Sequence, residues 1–247
     1  MKYKILAQTI AFYILTLFVI FISSFVFLKL NFLASIFVIF SVIFSISYFI
    51  PFLTQIFLRT KIYNGKYRNL IDKFILKNRV EIKNIYIKRS KSSNAFACSF
   101  FKNKSIVFFS HTLEEHPWDE IKAVTAHEIG HHVNNDPLLL TFIVAFTTTL
   151  CGLINFKIHS LVYLPILESI IIYPIFLSIQ RWREHLADKY AYEVLENPKY
   201  SADFFRKIVV FSKKEGIKIN KNPNFLSKIF FSHPPMYERI AFFENKK

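Results

Sequence analysis

Long apolar runs alternate with polar segments along this chain. Uncharged or nearly uncharged runs cover residues 5–28, 32–50, 137–156 and 161–179. Each contains 19 to 24 residues, and about 20 apolar residues suffice for a helix to cross the hydrocarbon core of a bilayer. The pattern therefore predicts four transmembrane helices.

The predicted membrane helices form two pairs with short connections. Residues 29–31 separate the first helix from the second, and residues 157–160 separate the third from the fourth, so each pair is expected to be a helical hairpin. The first run follows two lysines, as a signal peptide would. It is longer than the apolar core of a signal peptide and no small-residue cleavage site follows, so we expect an uncleaved span.

The polar segments, residues 59–136 and 180–247, are expected to build one domain from two pieces. In the first piece, residues 67–77 have helical spacing, and three later runs have the alternation and residue types of strands. These runs are residues 80–88, 95–101 and 105–109, with a turn at residues 102–104 between the last two.

Helices complete the predicted domain. Pro117 and the acidic pair Asp119 and Glu120 suit the first turn of a helix that runs to about Asn134. The second piece shows helical patterns over residues 180–195, 201–215 and 235–243. The predicted fold class is α+β, with a small sheet, joined to four transmembrane helices; its parts are residues 1–58, 59–136, 137–179 and 180–247.

Composition and charge support a membrane protein. Hydrophobic residues make up 53% of the chain, with 30 Phe and only 4 Gly, which is too apolar for an ordinary soluble fold. Of the 32 basic residues, 30 lie before the first span or in the two polar segments. The positive-inside rule then predicts a multi-pass protein of the cell membrane with its polar domain in the cytoplasm.

The net charge of +15 does not require a nucleic-acid partner, because the basic residues are explained by membrane topology and by contact with the lipid bilayer. We expect no nucleic acid to bind. Cys98 and Cys151 are the only cysteines, so neither a disulfide framework nor a cysteine zinc site is indicated.

The sequence HEIGHH, residues 127–132, carries the candidate chemistry. Two histidines four residues apart lie on one face of a helix, where their imidazole nitrogens can bind one zinc ion. Glu128, the next residue round the helix, can reach a water molecule at that ion. The pattern is typical of a zinc metalloprotease, and a helix whose polar side chains merely face water is the less favoured interpretation.

A catalytic zinc ion commonly has three protein ligands, so one more is needed. Glu184 is the best candidate, because it begins a polar helix just after the fourth span and the second hairpin returns the chain to the membrane face that it left. Asp188, one turn later, can accept a hydrogen bond from a zinc histidine and fix its tautomer. The alternative is a solvated helix start at the lipid headgroups.

Four motifs in order resemble the membrane metallopeptidase family of protease HtpX and the type 1 CAAX prenyl protease. They are HEIGHH, the ExxAD element at residues 184–188, NAFA at residues 94–97 and HPPMYER at residues 233–239. The resemblance covers roughly residues 60–240 and implies a zincin-like, gluzincin catalytic domain. It implies that His127, His131 and Glu184 bind one zinc ion and that Glu128 is the catalytic base. Four spans resemble HtpX more than the CAAX protease, which has more spans.

The resemblance also implies peptide hydrolysis, for which further groups are candidates. His233 or Arg239 can donate to the oxyanion if the C-terminal segment folds over the cleft, although each is equally explained as a structural contact. Asn94 and the strand after it are candidates for binding substrate by β-addition, with an ordinary loop asparagine as the alternative.

The remaining histidines carry weaker signals. His132 and His185 point about 100° away from the neighbouring candidate ligands, so we expect both to be exposed to solvent. His111 and His116 lie before the zinc helix, where no spacing recommends them. Glu168, within the fourth span, is expected to face the interior of the helix bundle or a water-filled cavity.

These observations predict an integral-membrane zinc endopeptidase that acts on membrane or membrane-associated polypeptides, in quality control if the likeness to HtpX extends to function. A protease for prenylated C-terminal peptides is the second candidate, and a catalytically silent membrane adaptor is the third. An intramembrane protease is disfavoured, because charged and polar residues flank HEIGHH on both sides. The sequence does not indicate an oligomeric state.

Overall fold

The structure is a computed structural model that describes residues 34, 36–38, 40–42, 58–100, 103–158, 172–217 and 219–245. The chain divides into two compact units. The first comprises Met1–Ser47 and Leu140–Phe176, and the second comprises Tyr48–Leu139 and Leu177–Lys247. The division into four segments at residues 58, 136 and 179 stays a prediction.

The first unit is helical wherever the structure describes it. Most of the first, second and fourth predicted spans, together with Glu168, lie outside the described residues, whereas the third falls on the helix Asp136–Ile158. Judged over the residues that are described, no helix combines the length and apolarity needed to cross a membrane. The prediction of four spans is therefore not confirmed here.

The second unit contains a four-stranded sheet, which confirms the predicted α+β class. Its strands are β1 (Lys61–Ile62), β2 (Asn84–Lys88), β3 (Ala95–Phe100) and β4 (Asn103–Phe109), in the order β1-β2-β4-β3. β2 is parallel to β4, and the other two pairs are antiparallel. β3 thus forms one edge of the sheet, and the predicted hairpin of β3 and β4 is present.

Eight helices, numbered α1 to α8, lie in the described part of the chain from residue 58 onward, and six of them are wholly in the second unit. Their bounds are α1 Arg68–Lys77, α2 Ser110–Glu115, α3 Trp118–Val133, α4 Asp136–Ile158, α5 Tyr173–Val194, α6 Lys199–Lys214, α7 Phe225–Ile229 and α8 Met236–Asn245. The sequence predicted α1, α3, α6 and α8 to within a few residues, but β1, α2 and α7 were not expected.

Helix α5 corrects one prediction. The sequence indicated a span ending at residue 179 and a separate helix from residue 180, but one helix runs from Tyr173 to Val194. After Pro174 in its first turn, no proline or glycine interrupts the sequence until Pro198, so the helical hydrogen bonds continue across the change from apolar to polar residues.

Helix α3 lies at the centre of the second unit. It packs against α1, α6 and β3, and Ile121 and Ile129 on it are fully buried. Its neighbours contribute apolar faces at helical spacing, such as Phe74 on α1 and Phe205 on α6. Because elements cover α3 on several sides, polar residues on this helix are buried as well.

Candidate metal centre

Helix α3 holds the two histidines of the predicted zinc site next to each other. The Nε2 atoms of His127 and His131 lie 3.2 Å apart, and their rings are nearly perpendicular, at 86°. This is the arrangement expected for residues one turn apart on the same helical face.

Helix α5 brings the third predicted ligand to this pair. The Oε2 atom of Glu184 lies 3.4 Å from Nε2 of His127, and its Oε1 atom lies 3.5 Å from Nε2 of His131. Donor atoms in a tetrahedron with metal bonds of about 2.0–2.1 Å are about 3.3 Å apart. Each Nε2 atom lies close to this distance from one of the two carboxylate oxygens of Glu184. The three side chains, named here the metal cluster, therefore form a triangle that can hold one metal ion.

The close approach of α3 and α5 depends on a glycine. A Cβ atom built on Gly130 would lie 2.9 Å from Cα and 3.0 Å from the carbonyl oxygen of Ala187. Real Cβ atoms are not found this close to backbone atoms, so any larger residue at position 130 would push the two helices apart. The glycine of HEIGHH thus sets the distance from the histidines to Glu184, three residues before Ala187.

Two buried carboxylates hold the far sides of the histidine rings. Asp188 Oδ1 lies 2.9 Å from Nδ1 of His127, which is the contact expected from the sequence. Asp136 Oδ2 lies 2.7 Å from Nδ1 of His131. Each carboxylate accepts from Nδ1–H and so leaves the Nε2 lone pair facing the cluster, as a metal-bound histidine requires.

The sequence interpretation missed Asp136, which is 2% exposed. Its five-residue separation from His131 has no helical meaning, because the chain leaves the helix at Asn134 and passes through Asn135 with a φ of 53°. The available signal was a carboxylate directly before an apolar segment, where it needs a partner.

Two arginines neutralise these carboxylates. Arg239 donates to Asp188 from Nε at 2.8 Å and from Nη2 at 2.6 Å. Arg183 donates to Asp136 and, at 2.7 Å, to the carbonyl oxygen of Asn134. Both arginines are buried. These charge-assisted hydrogen bonds, which are bidentate in the Arg239–Asp188 pair, fix the position of the carboxylates and thereby of the rings in front of them.

The electrostatics of the cluster favour a cation at its centre. Burial opposes charge on His131, but the hydrogen bonds to Asp136 and Glu184 outweigh it and raise the pKa of His131 to about 10. Burial also opposes ionisation of Glu184, yet hydrogen bonds from His127 and His131 hold the pKa of Glu184 well below its usual value. Without a metal ion the cluster therefore retains a proton that a metal would displace.

Glu128 lies beside the cluster on α3 and is 4% exposed. Burial raises the pKa of its carboxyl group, and a backbone hydrogen bond from Ala97 on the edge strand β3 opposes that shift. Its Oε2 atom has no hydrogen-bond partner among the described residues. A buried carboxylate oxygen without a partner is costly, and it is available to a water molecule or a reacting proton.

The other predicted site residues occupy different positions around the cluster. His233 Nε2 lies 3.4 Å from Glu184 Oε1, and its side chain is 61% exposed. Arg239 Nη1 lies 3.6 Å from Glu184 Oε2 but is committed to Asp188. Asn94 is exposed just before β3, and its Oδ1 accepts from the N–H of Ala95 at 2.9 Å. Roles for these residues in substrate binding stay predictions.

One prediction about the neighbouring histidines was wrong. His132 is fully buried, and its Nε2 atom lies 3.0 Å from the carbonyl oxygen of Ser105 on β4. Burial lowers its pKa to about 4. The helix face that points away from the ligands meets the sheet instead of water. His185, the second histidine predicted to be exposed, is exposed.

Comparisons with known proteins find a matching family and several relatives. A profile of the family described as Peptidase family M48 matches residues 64–247. A Protease HtpX homolog from Nostoc punctiforme is 26% identical over 213 residues, which cover 72% of this chain and 71% of the relative. Protease HtpX from Idiomarina loihiensis is 28% identical over 196 residues, which cover 68% of this chain and 67% of the relative.

Two further relatives extend the likeness to other branches. A CAAX prenyl protease 1 homolog from Arabidopsis thaliana is 27% identical over 212 residues, which cover 73% of this chain but 48% of the relative. The crystal structure of S. mikatae Ste24p matches with a TM-score of 0.72 at 20% identity, covering 92% of this chain and 62% of that one. At this identity the solved structure supports the fold alone.

Proposed function

This chain belongs to peptidase family M48, and we propose that it is an integral-membrane, zinc-dependent endopeptidase of the HtpX type. Its substrates are membrane or membrane-associated polypeptides, and its role is quality control of such proteins. Family membership and the names of the relatives support a protease. The zinc ion, the substrate class and the membrane topology are the parts of the proposal that need experiment.

One observation carries the zinc assignment. The two Nε2 atoms of the metal cluster lie 3.2 Å apart, and each lies near a different carboxylate oxygen of Glu184, at 3.4 Å for His127 and 3.5 Å for His131. Both Nδ1 atoms are turned away toward other carboxylates. Two histidines and one glutamate, with a remaining position for substrate or water, are a donor set that catalytic zinc sites use. Neutral imidazole and carboxylate also suit zinc better than they suit calcium or magnesium.

The metal ligands and Glu128 have different roles in the proposed hydrolysis. A zinc ion held by His127, His131 and Glu184 would supply Lewis acidity toward a peptide carbonyl and a water molecule. Glu128 takes the proton from the attacking water, for which its burial and raised pKa suit it, and transfers that proton to the leaving nitrogen.

Substrate binding is assigned to the groups at the exposed side of the cluster. The edge strand β3, whose Ala97 contacts Glu128, can pair with an extended substrate, and Asn94 at its start can bond the substrate backbone. The exposed ring of His233 can donate to the oxyanion. Arg239, which is paired with Asp188, acts mainly by positioning that carboxylate.

The proposed membrane topology rests on the sequence. Four spans at residues 5–28, 32–50, 137–156 and 161–179 have sufficient length, and 30 of the 32 basic residues would then face the cytoplasm. Single cysteines placed at residues 30 and 159 in a cysteine-free background test this. Labelling of both by a membrane-impermeant maleimide from outside the cell is expected, and labelling from the cytoplasmic side alone would contradict the topology.

The function is tested with the purified full-length chain in detergent. We expect about one zinc ion per chain by elemental analysis and cleavage of casein that is lost in Glu128→Gln. The matched control is Glu193→Gln, which changes an exposed glutamate on α5. Bound zinc without cleavage that depends on Glu128 would support the membrane adaptor instead.

A protease for prenylated peptides is the second candidate function, and the Arabidopsis relative favours it by name. A matched pair of peptides with and without a farnesyl group on a C-terminal CAAX sequence separates the two proposals. A general endopeptidase is expected to cleave internal bonds of both peptides. Release of only the last three residues of the farnesylated peptide would favour the second candidate.

A further inference from the structure

A second polar cluster lies in the same unit and shares no residue with the metal cluster. It comprises Ser93, His111, His116 and Glu120 and is named here the serine–histidine cluster. Ser93 Oγ lies 2.7 Å from Nε2 of His116, whose Nδ1 lies 2.7 Å from Oε2 of Glu120. Ser93 Oγ also lies 2.9 Å from Nδ1 of His111.

The hydrogen bonds of this cluster fix where each proton lies. An ionised Glu120 only accepts, so Nδ1 of His116 must donate to it. Burial lowers the pKa of His116, and in the neutral ring Nε2 is then an acceptor. The Ser93 hydroxyl must therefore donate to His116, and it accepts from Nδ1–H of His111. The hydroxyl proton of the serine thus already points at a base.

The base is also held firmly in place. His116 and Glu120 are each 5% exposed. Lys207 donates to Oε1 of Glu120 at 2.6 Å, which neutralises the carboxylate while its other oxygen remains bonded to the histidine. A buried carboxylate that orients a histidine, which in turn accepts from a serine hydroxyl, is the relation of groups used in serine-based acyl transfer.

The serine opens onto a cavity. Ser93, His111 and His116 lie on the wall of a cavity of about 280 Å³ between α2 and the side of α6. This volume suits a small ligand rather than a polypeptide. The remaining wall combines apolar side chains, such as Phe211, with three basic residues, Arg206, Lys207 and Lys214, and one acidic residue, Glu115. Because the basic groups outnumber the acidic one, the wall can accommodate a short chain that ends in a negative charge.

We propose that Ser93 is the nucleophile of a second, metal-independent acyl-transfer site that acts on small carboxylic esters with an anionic acyl group. His116 is the general base and Glu120 orients it. This site is separate from the peptidase site and does not depend on the proposed peptidase function.

The reaction balances without a co-reactant other than water. Ser93 Oγ bonds to the ester carbonyl carbon as His116 takes the hydroxyl proton, and the carbon–oxygen bond to the alcohol breaks as His116 returns that proton to the leaving oxygen. Water then releases the acid from the serine by the same route. His111, whose Nδ1–H faces Oγ in the resting state, is placed to donate to the oxyanion.

The test uses the purified full-length chain and a small ethyl fluorophosphonate probe, with the labelled residue located by peptide mass mapping. We expect one major label, on Ser93. Ser93→Ala should remove it, and His116→Gln should slow labelling by about a hundredfold, within the range for general-base catalysis. Ser92→Ala, which changes the adjacent serine, is the matched control and should label at the wild-type rate.

Turnover is measured with the mono-4-nitrophenyl ester of succinic acid, and each variant is first shown to unfold at the wild-type temperature. Nitrophenolate release that depends on Ser93 supports the proposal. The proposal is overturned if Ser93 is not labelled, if His116→Gln labels as fast as the wild type, or if ester hydrolysis persists in Ser93→Ala.

Discussion

The metal cluster and the serine–histidine cluster each combine two histidines with a glutamate, yet they are built for different chemistry. In the metal cluster, carboxylates outside the triangle hold both Nδ1 atoms, so both Nε2 atoms face a common point. In the serine–histidine cluster, both ring nitrogens of His116 are hydrogen-bonded within the cluster, Nδ1 to Glu120 and Nε2 to Ser93. The position of the supporting carboxylate thus decides between binding a metal and moving a proton.

The pKa values of the histidines also differ between the two clusters. Partners outweigh burial at His131 and raise its pKa to about 10, whereas burial prevails at His116 and lowers its pKa. Without a metal ion, the metal cluster therefore holds a proton at its centre, where a metal cation would take its place. The serine–histidine cluster keeps a neutral imidazole, which is the form that acts as a base.

The largest expected effect comes from removing a donor of the metal cluster. Glu184→Gln replaces a carboxylate oxygen with a weaker ligand, and we expect zinc affinity to fall by more than about a hundredfold, beyond the loss typical of outer partners. Competition with a fluorescent zinc chelator measures the affinity. Glu193→Gln on the same helix is the control. Unchanged zinc affinity in Glu184→Gln would contradict the assignment of this glutamate as a metal ligand.

A second prediction concerns His132, the buried neutral histidine beside His131. Its pKa is about 4 in the folded state and about 6.5 when unfolded, so between these values only the unfolded chain binds the proton. The contribution of the neutral His132 ring to the free energy of unfolding is therefore complete above pH 6.5. About 3 kcal/mol of it is lost as the pH falls to 4.

Thermal unfolding in detergent across this range tests the prediction about His132, with a chelator present so that release of metal does not contribute. His132→Asn should flatten the dependence on pH. His185→Asn, at an exposed position, should leave it unchanged. An equally steep dependence in His132→Asn would contradict the assignment of the titration to this residue.

A third prediction tests the support behind the ring of His131. Asp136→Asn keeps the shape of the side chain but removes the charge that orients Nδ1–H and pairs with Arg183. We expect a loss of about 10–100-fold in zinc affinity, as for other outer partners of metal-bound histidines. Asp119→Asn, on the first turn of α3, is the control. An equal loss in both variants would point to general destabilisation.

The smallest expected effect comes from changing the spacing of the two helices. Gly130→Ala places a Cβ atom against Ala187, so α5 must move and carry Glu184 away from the histidines. We expect about a tenfold loss of zinc affinity, at the low end of effects on ligand orientation. Val133→Ala, at an exposed site on the same helix, should have no effect, and wild-type affinity in Gly130→Ala would show that α5 adjusts freely.

The sequence predicted those parts of the site that depend on local spacing. His127, His131 and Glu128 follow from helical periodicity alone, and Glu184 followed from chain topology and from a resemblance between motifs. Asp136 and the burial of His132 could not be predicted in the same way. The burial of His132 depends on how α3 packs against the sheet, and the position of Asp136 depends on a left-handed turn at Asn135.

The elements of the fold also differ in how well local sequence patterns predict them. Long helices with periodic apolar faces, such as α1 and α6, were predicted to within a few residues, because burial of one face specifies them. The two-residue strand β1 and the five-residue helix α7 carry no periodic signal of their own. They exist because of tertiary contacts and helix capping, such as Asn224 accepting from the N–H of Ser227 at the start of α7.

Anomalous diffraction at the zinc edge from crystals of the full-length protein tests the central claim most directly. The account predicts one strong peak at about 2.0–2.2 Å from Nε2 of His127, Nε2 of His131 and a carboxylate oxygen of Glu184. A peak bound to other residues instead, for example to His111 and His116, or full-occupancy zinc with Glu184 turned away and not replaced, would contradict it.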